Sequence, residues 1–170
     1  MKLDKFIRAI PDFPKKGILF RDITTLLNNP NAFRKSIQQM QIILKDYKID
    51  VIVAPESRGF IFAGALAYKL GCSFVPVRKP GKLPWKTYKA KYSLEYGEDS
   101  LEIHQDAFKK GTRVLILDDL LATGGTVKAI TSLVKKLKGK IVGIIFLIEL
   151  TALGGRKKVK NLPVYSLIKY

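Results

Sequence analysis

Residues 114 to 126 read VLILDDLLATGGT, an apolar run that leads through Asp118-Asp119 into Ala122-Thr123-Gly124-Gly125-Thr126. Two kinds of chemistry meet there. Glycines allow close backbone approach, and the free amides that open a helix point at an anion the helix dipole also favours, so the second half is a phosphate cradle. The hydroxyls of Thr123 and Thr126 add hydrogen bonds. No Gly-Lys-Ser/Thr stands at the spacing a Walker A loop requires. Two adjacent carboxylates would repel a second phosphate but accept well from vicinal hydroxyls, and one of them is also placed to face a metal ion. A sugar phosphate satisfies both halves. Taken singly, the aspartates read as a solvated pair at a strand end and the glycines as an ordinary turn; their direct junction favours a ligand site.

Such a loop has to be presented by a sheet. From Ala32 to Tyr47 the apolar residues Phe33, Ile37, Met40, Ile43, Leu44 and Tyr47 recur at helical spacing. Val51-Ile52-Val53-Ala54 follows, too short for a helix and rich in β-branched residues, as a buried parallel strand should be. The alternation continues with a helix over 60–70 closed by Gly71, strands over 74–77 and 114–117, a helix over 126–138 stopped by Gly139, and strands over 141–148 and 164–168. Strands separated by helices imply crossover units, and hence an α/β fold with a parallel β-sheet flanked by helices. Ligands bind such sheets at the carboxyl ends of the strands, where Asp118 stands.

One segment breaks the pattern. Residues 78 to 100, RKPGKLPWKTYKAKYSLEYGEDS, hold two prolines, two glycines, five lysines and three tyrosines without clean periodicity. An insertion of that length inside a compact domain reads as a mobile lid or binding loop.

Composition bounds the rest. The 170 residues, 47% apolar and 26% charged, suit a single domain over 1–170 with one core. The balance of 31 Lys and Arg against 14 Asp and Glu, net +17, favours polyanions without choosing among nucleic acid, an acidic membrane and phosphorylated small molecules. One cysteine, Cys72, excludes a disulfide scaffold and makes a cytosolic setting the expectation. The longest apolar run, 141–148, falls far short of the roughly 20 residues of a membrane-spanning helix. A lone histidine, His104, gives no support to Ser-His-Asp or His-rich metal chemistry. The clusters 134–138 and 156–160 read as solvated basic faces.

The 114–126 stretch resembles the phosphoribosyl-pyrophosphate signature of the type I phosphoribosyltransferases, and its form DDLLATGGT is similar to the adenine branch of that family. Other blocks stand in family order: PDFPKKGILFRDIT (11–24) resembles the base-binding segment, ESRGF (56–60) the pyrophosphate loop, and VRKPGKLP (77–84) with YSLEYG (92–97) the catalytic lid. LEIHQDA (101–107) and IELTALGGR (148–156) continue the likeness. It implies the type I phosphoribosyltransferase fold, with a small N-terminal base-binding hood over 1–31 and a flexible lid over 78–100. Ala54-Pro55 stands where a glycine commonly begins the pyrophosphate loop, and the resemblance suggests a cis Glu56–Ser57 peptide.

The resemblance also assigns roles. Asp118, Asp119, Ala122, Thr123, Gly124, Gly125 and Thr126 hold the phosphoribosyl group and its 5′-phosphate; Ser57, Arg58, Arg78, Lys79 and Lys82 take the pyrophosphate, with a guanidinium well shaped to fork onto it. Phe20 and Leu153 sandwich the purine, while backbone groups of Leu19 and Arg21 pair with its edge and favour adenine over a 6-oxopurine. Glu95 is the catalytic carboxylate near N7 and N9 of the base, and Tyr96 gates or packs over it. The implied reaction transfers the 5-phosphoribosyl group of 5-phospho-α-D-ribose 1-diphosphate (PRPP) to N9 of adenine, giving AMP and pyrophosphate in purine salvage. Mg2+ accompanies the substrate, with few protein ligands. A homodimer is expected, with Arg21 and the N-terminal segment near its interface, and neither membrane nor nucleic acid as a partner. Two alternatives stay open: a regulator on the same fold whose basic surface grips nucleic acid, and the same chemistry on hypoxanthine or xanthine.

Overall fold

The computed structural model describes residues 1–93 and 98–170. Its centre is a parallel sheet of five strands: β3 (Val51–Pro55), β4 (Ser73–Val77), β7 (Arg113–Leu121), β8 (Lys140–Glu149) and β9 (Val164–Lys169), in the order β4-β3-β7-β8-β9. Pleating sends successive side chains to opposite faces. Ile52, Ala54, Leu115, Leu117, Ile145 and Leu147 join the core under helices α2 (Pro30–Ile43) and α3 (Arg58–Leu70). Val51, Val53, Val114, Ile116, Ile144 and Phe146 join the second core, under α4 (Gly125–Lys136). Burial on both faces is why these strands read as unbroken apolar runs.

Two smaller antiparallel ribbons complete the chain. β1 (Arg8–Ile10) pairs with β2 (Phe20–Asp22) ahead of the short helix α1 (Thr24–Leu27), which forms the N-terminal hood. β5 (Thr87–Ser93) pairs with β6 (Glu98–His104), and Leu101 and Ile103 on β6 are buried in the second core.

That second ribbon gives regular structure to much of 78–100, the stretch expected to form a lid or binding loop. Cross-strand pairing from Thr87↔His104 onward orders it, with Tyr88, Ala90 and Tyr92 packed on the second core and Lys89 and Lys91 exposed between them, a period-two alternation. Glu95 and Tyr96 fall in 94–97, so the two catalytic assignments lie outside the described residues.

Element ends shift for local reasons. α2 starts at Pro30 because the Asn29 side chain accepts from the amides of Asn31 and Ala32 and proline suits the first helical position; it stops at Ile43, short of Tyr47. α3 closes on Gly71, whose φ of 65° lies in the left-handed region. β7 runs past the expected 117 to Leu121, carrying the aspartate pair inside the strand.

Candidate active site

Chain order fixes where a ligand can enter. β3 leads through α3 to β4 on one side of the sheet, whereas β7, β8 and β9 build outward on the other, so the order reverses between β3 and β7. Open α/β sheets bind ligands at this point. β3 pairs with β7 only as far as Val53↔Ile116, while β7 continues alongside β8 through Asp118↔Phe146 and Leu121↔Glu149. The overhang leaves Asp118 and Asp119 facing the gap where β3 turns into α3.

Two adjoining clefts occupy that gap. One, of about 210 Å³, is lined by Arg58, Asp118, Asp119 and the whole run from Ala122 to Thr126. The other, of about 300 Å³, is lined by Glu56, Ser57, Arg58, Lys79, Tyr92, Asp118, Asp119 and Thr126 among others. The first has the donors of a phosphate cradle with α4 opening behind it; the second has the cations that a diphosphate requires.

Gly124 caps α4 with φ 83°, a conformation that only glycine adopts freely, and this orients the loop amides. Behind it stands Gly155, which sequence reasoning had not singled out. A Cβ on Gly155 would lie 2.2 Å from the Ala122 carbonyl and 2.9 Å from the Gly124 nitrogen. The cradle is therefore packed backbone to backbone against the turn after β8.

The carboxylates are under electrostatic load. Asp119 is 6% exposed and meets Arg58 Nε at 2.7 Å. Asp118 accepts from the Asp119 amide at 2.8 Å, yet burial, and then the charge of Asp119, push its pKa well above the ordinary carboxylate value. Burial also raises Asp119, opposed by Arg58. In the second cleft Glu56 accepts from the Lys79 amide at 2.6 Å and from Arg78 at 3.2 Å; burial would lift its pKa, but these partners hold it below the usual value. Lys79 pairs with Asp99 of β6, and Tyr92 donates to the same carboxylate at 3.2 Å. Arg78 turns to Glu56 and to the Lys82 carbonyl, and Lys82 is exposed. Of the five residues expected at pyrophosphate, the structure thus brings Ser57, Arg58 and Lys79 into one cleft, with Arg78 and Lys82 on its flank. The Glu56–Ser57 peptide is cis.

On the hood side, Phe20 lies edge-on to Phe13 with centroids 5.1 Å apart, and the Arg58 guanidinium stands 5.4 Å from its ring centre. One residue thus meets both Asp119 and the Phe20 ring. Leu19 and Leu153, both nearly half exposed, offer apolar surface. The Arg21 guanidinium sits 3.6 Å over the Tyr170 ring, and the Tyr170 carbonyl accepts from the Thr151 amide at 2.8 Å and from its hydroxyl. Tyr170 therefore joins the Phe20 strand to the turn that carries Leu153, a link with no local sequence signal.

Residues 22–169 match the family model described as "Phosphoribosyl transferase domain". Adenine phosphoribosyltransferase of Brachyspira hyodysenteriae is 58% identical over the full length of both chains. The chain belongs to the adenine branch of the phosphoribosyl transferase family. Among solved structures, the adenine phosphoribosyltransferase of Thermoanaerobacter pseudethanolicus superposes with a TM-score of 0.97 at 56% identity, covering 99% of this chain and 98% of that one. The Saccharomyces cerevisiae enzyme, complexed with an imino-altritol bisphosphate and adenine, gives a TM-score of 0.92 at 43% identity over 97% and 96% of the two chains. The fold is thus that of the family.

Within that fold the load on Asp118 leads to a measurable trade. Its folded-state pKa lies above the ordinary 3.8, so the fold disfavours the charge and stability falls as pH rises through the folded-state value. Asp118→Asn keeps an acceptor for the Asp119 amide but cannot ionise. The variant is expected to melt above the parent at pH 8, with the gain vanishing below about pH 4, while transferase activity is expected to drop as both clefts lose an ionisable carboxylate. A gain of about 1 kcal/mol corresponds to about 2–4 °C. Calorimetric melting across pH checks it; a lower melting temperature at pH 8 would contradict the assigned load.

Proposed function

We propose that this chain transfers the 5-phosphoribosyl group of PRPP to N9 of adenine, forming AMP and pyrophosphate. The observation that carries the reading is the aspartate pair, held beside Arg58 at the mouth of the phosphate cradle and at the point where strand order reverses. The cradle from Ala122 to Thr126 takes the 5′-phosphate, and Asp118 and Asp119 accept from the ribose hydroxyls. Ser57, Arg58 and Lys79, with Arg78 and Lys82 on the flank, hold the diphosphate. Phe20 and Leu153 flank the base, and backbone groups of Leu19 and Arg21 read its edge.

In the step itself the bond from C1 to the diphosphate oxygen breaks with its electron pair leaving on pyrophosphate, and N9 forms the new bond to C1 through a centre of oxocarbenium character. Glu95 manages the proton of the base, and Tyr96 covers it; the lid excludes water that would otherwise take the ribosyl group. Among the described residues no three His, Cys, Asp or Glu side chains converge on a metal position. The reading includes Mg2+ carried as the chelate of the diphosphate, part of the substrate, where it improves the leaving group. We extend the reading to a homodimer.

Pyrophosphate release from magnesium-PRPP, compared with adenine, hypoxanthine and guanine, tests it. Release is expected with adenine alone, and Glu95→Gln should lower kcat by about 10²-fold, in the usual range for general acid–base groups. No release with any base, despite measurable PRPP binding, would overturn the catalytic reading; equal release with hypoxanthine would overturn the choice of base.

A further inference from the structure

The turn after β8 touches both halves of the site. Gly155 abuts the Ala122 carbonyl and the Gly124 amide, and Leu153, two residues earlier, presents apolar surface for the base. Its start is tied down by the bonds from Thr151 to the Tyr170 carbonyl, and its far end by one side chain. Arg156 donates through Nε to Glu149 Oε1 at 2.9 Å and through Nη2 to Oε2 at 2.5 Å, a two-point fork. Its Nη1 donates to the Val164 carbonyl at 2.6 Å, and the Ser166 hydroxyl donates to Glu149 at 2.6 Å. Glu149 is the last residue of β8 and 5% exposed, while Val164 and Ser166 lie on β9. The guanidinium therefore pins the turn to two strands of the sheet.

We infer that Arg156 and Glu149 are a positioning pair that sets the phosphate cradle and the base wall together by fixing the turn between them. Neither residue lines either cleft. Loss of the fork loosens the turn that carries both Leu153 and Gly155, so the binding of both substrates weakens in parallel. A pair that served stability alone would leave the two KM values where they are.

The inference rests on the transfer reaction proposed above, and the test keeps the two apart by assaying the parent first. In Arg156→Met, KM for PRPP and KM for adenine are each expected to rise about tenfold, below the ~10²-fold that a full 1 Å misplacement costs. Arg156→Lys keeps the charge but loses the fork, and should recover only part of the loss. Glu149→Gln should raise both KM values likewise. Circular dichroism and melting at the assay temperature identify the folded variants; should Arg156→Met fail to fold, the lysine variant carries the test. Unchanged KM values for both substrates in the folded variants, or a rise in one alone, would overturn the pairing. A parent without transfer activity would overturn the reaction instead.

Discussion

Gly155→Ala is expected to lower kcat/KM for PRPP by about 10³-fold while leaving the sheet intact. The magnitude comes from what the new methyl meets. Its ideal position lies 2.2 Å from the Ala122 carbonyl oxygen and 2.9 Å from the Gly124 nitrogen, both of them backbone atoms of the cradle. A flexible side chain could turn aside, but backbone on both sides cannot, so the loop must move by roughly an ångström. Misplacement on that scale costs about 10²-fold through lost alignment, and the displaced amides surrender further phosphate binding. Alanine at Gly64, where a Cβ meets nothing within 4 Å, is the matched control and should retain activity. Steady-state kinetics with both variants decide the matter: near-parental KM and kcat for Gly155→Ala would mean that the two backbones do not touch as described.

Arg58→Ala carries the second large effect, also about 10³-fold in kcat/KM, because one guanidinium serves three neighbours. It pairs with Asp119 at 2.7 Å, stands 5.4 Å from the Phe20 ring centre and lines both clefts. Removing it leaves a buried carboxylate without its counter-charge beside Asp118 and takes a guanidinium from the second cleft. With the arginine side chain 35% exposed, solvent screens part of the loss, and about 1–3 kcal/mol of stability is expected to go. Arg58 lowers the pKa of Asp119, so the interaction stabilises the fold where Asp119 is ionised and fades as pH falls through its folded value. The deficit of the variant is therefore largest at neutral and alkaline pH and vanishes in acid. Arg58→Lys separates the roles: it should restore most of the melting temperature but little of the activity. Equal recovery of both would show that charge alone suffices at this position.

Some of this was legible along the chain. The alternation of short apolar strands with amphipathic helices follows from periodicities of 2 and 3.6, which are local properties, and the sheet order β4-β3-β7-β8-β9 carries the expected parallel strands. The cradle was equally local, because a strand, two aspartates, a glycine turn and a helix start are consecutive in residues 114 to 126. Other features were not. β5 and β6 were missed because their period-two alternation, Tyr88, Ala90 and Tyr92 inward with Lys89 and Lys91 outward, is short and sits among prolines, glycines and charges that read as a loop. Arg58 and Asp119 stand far apart in sequence, and only the early end of β3 against β7 lets them meet.

The same holds for the wall behind the cradle. Gly155 looks like any turn glycine until Ala122 and Gly124 are brought against it, and Tyr170 shows its link between Arg21 and Thr151 only when β9 lies at the sheet edge. Residue type and spacing therefore determined which groups could bind a phosphate, a sugar and a base, since those capacities reside in single side chains and short loops. Tertiary structure decided which of those groups share a cleft and which carry a displaced pKa. Burial and the approach of distant charges are set by packing between elements, and no window along the chain contains them.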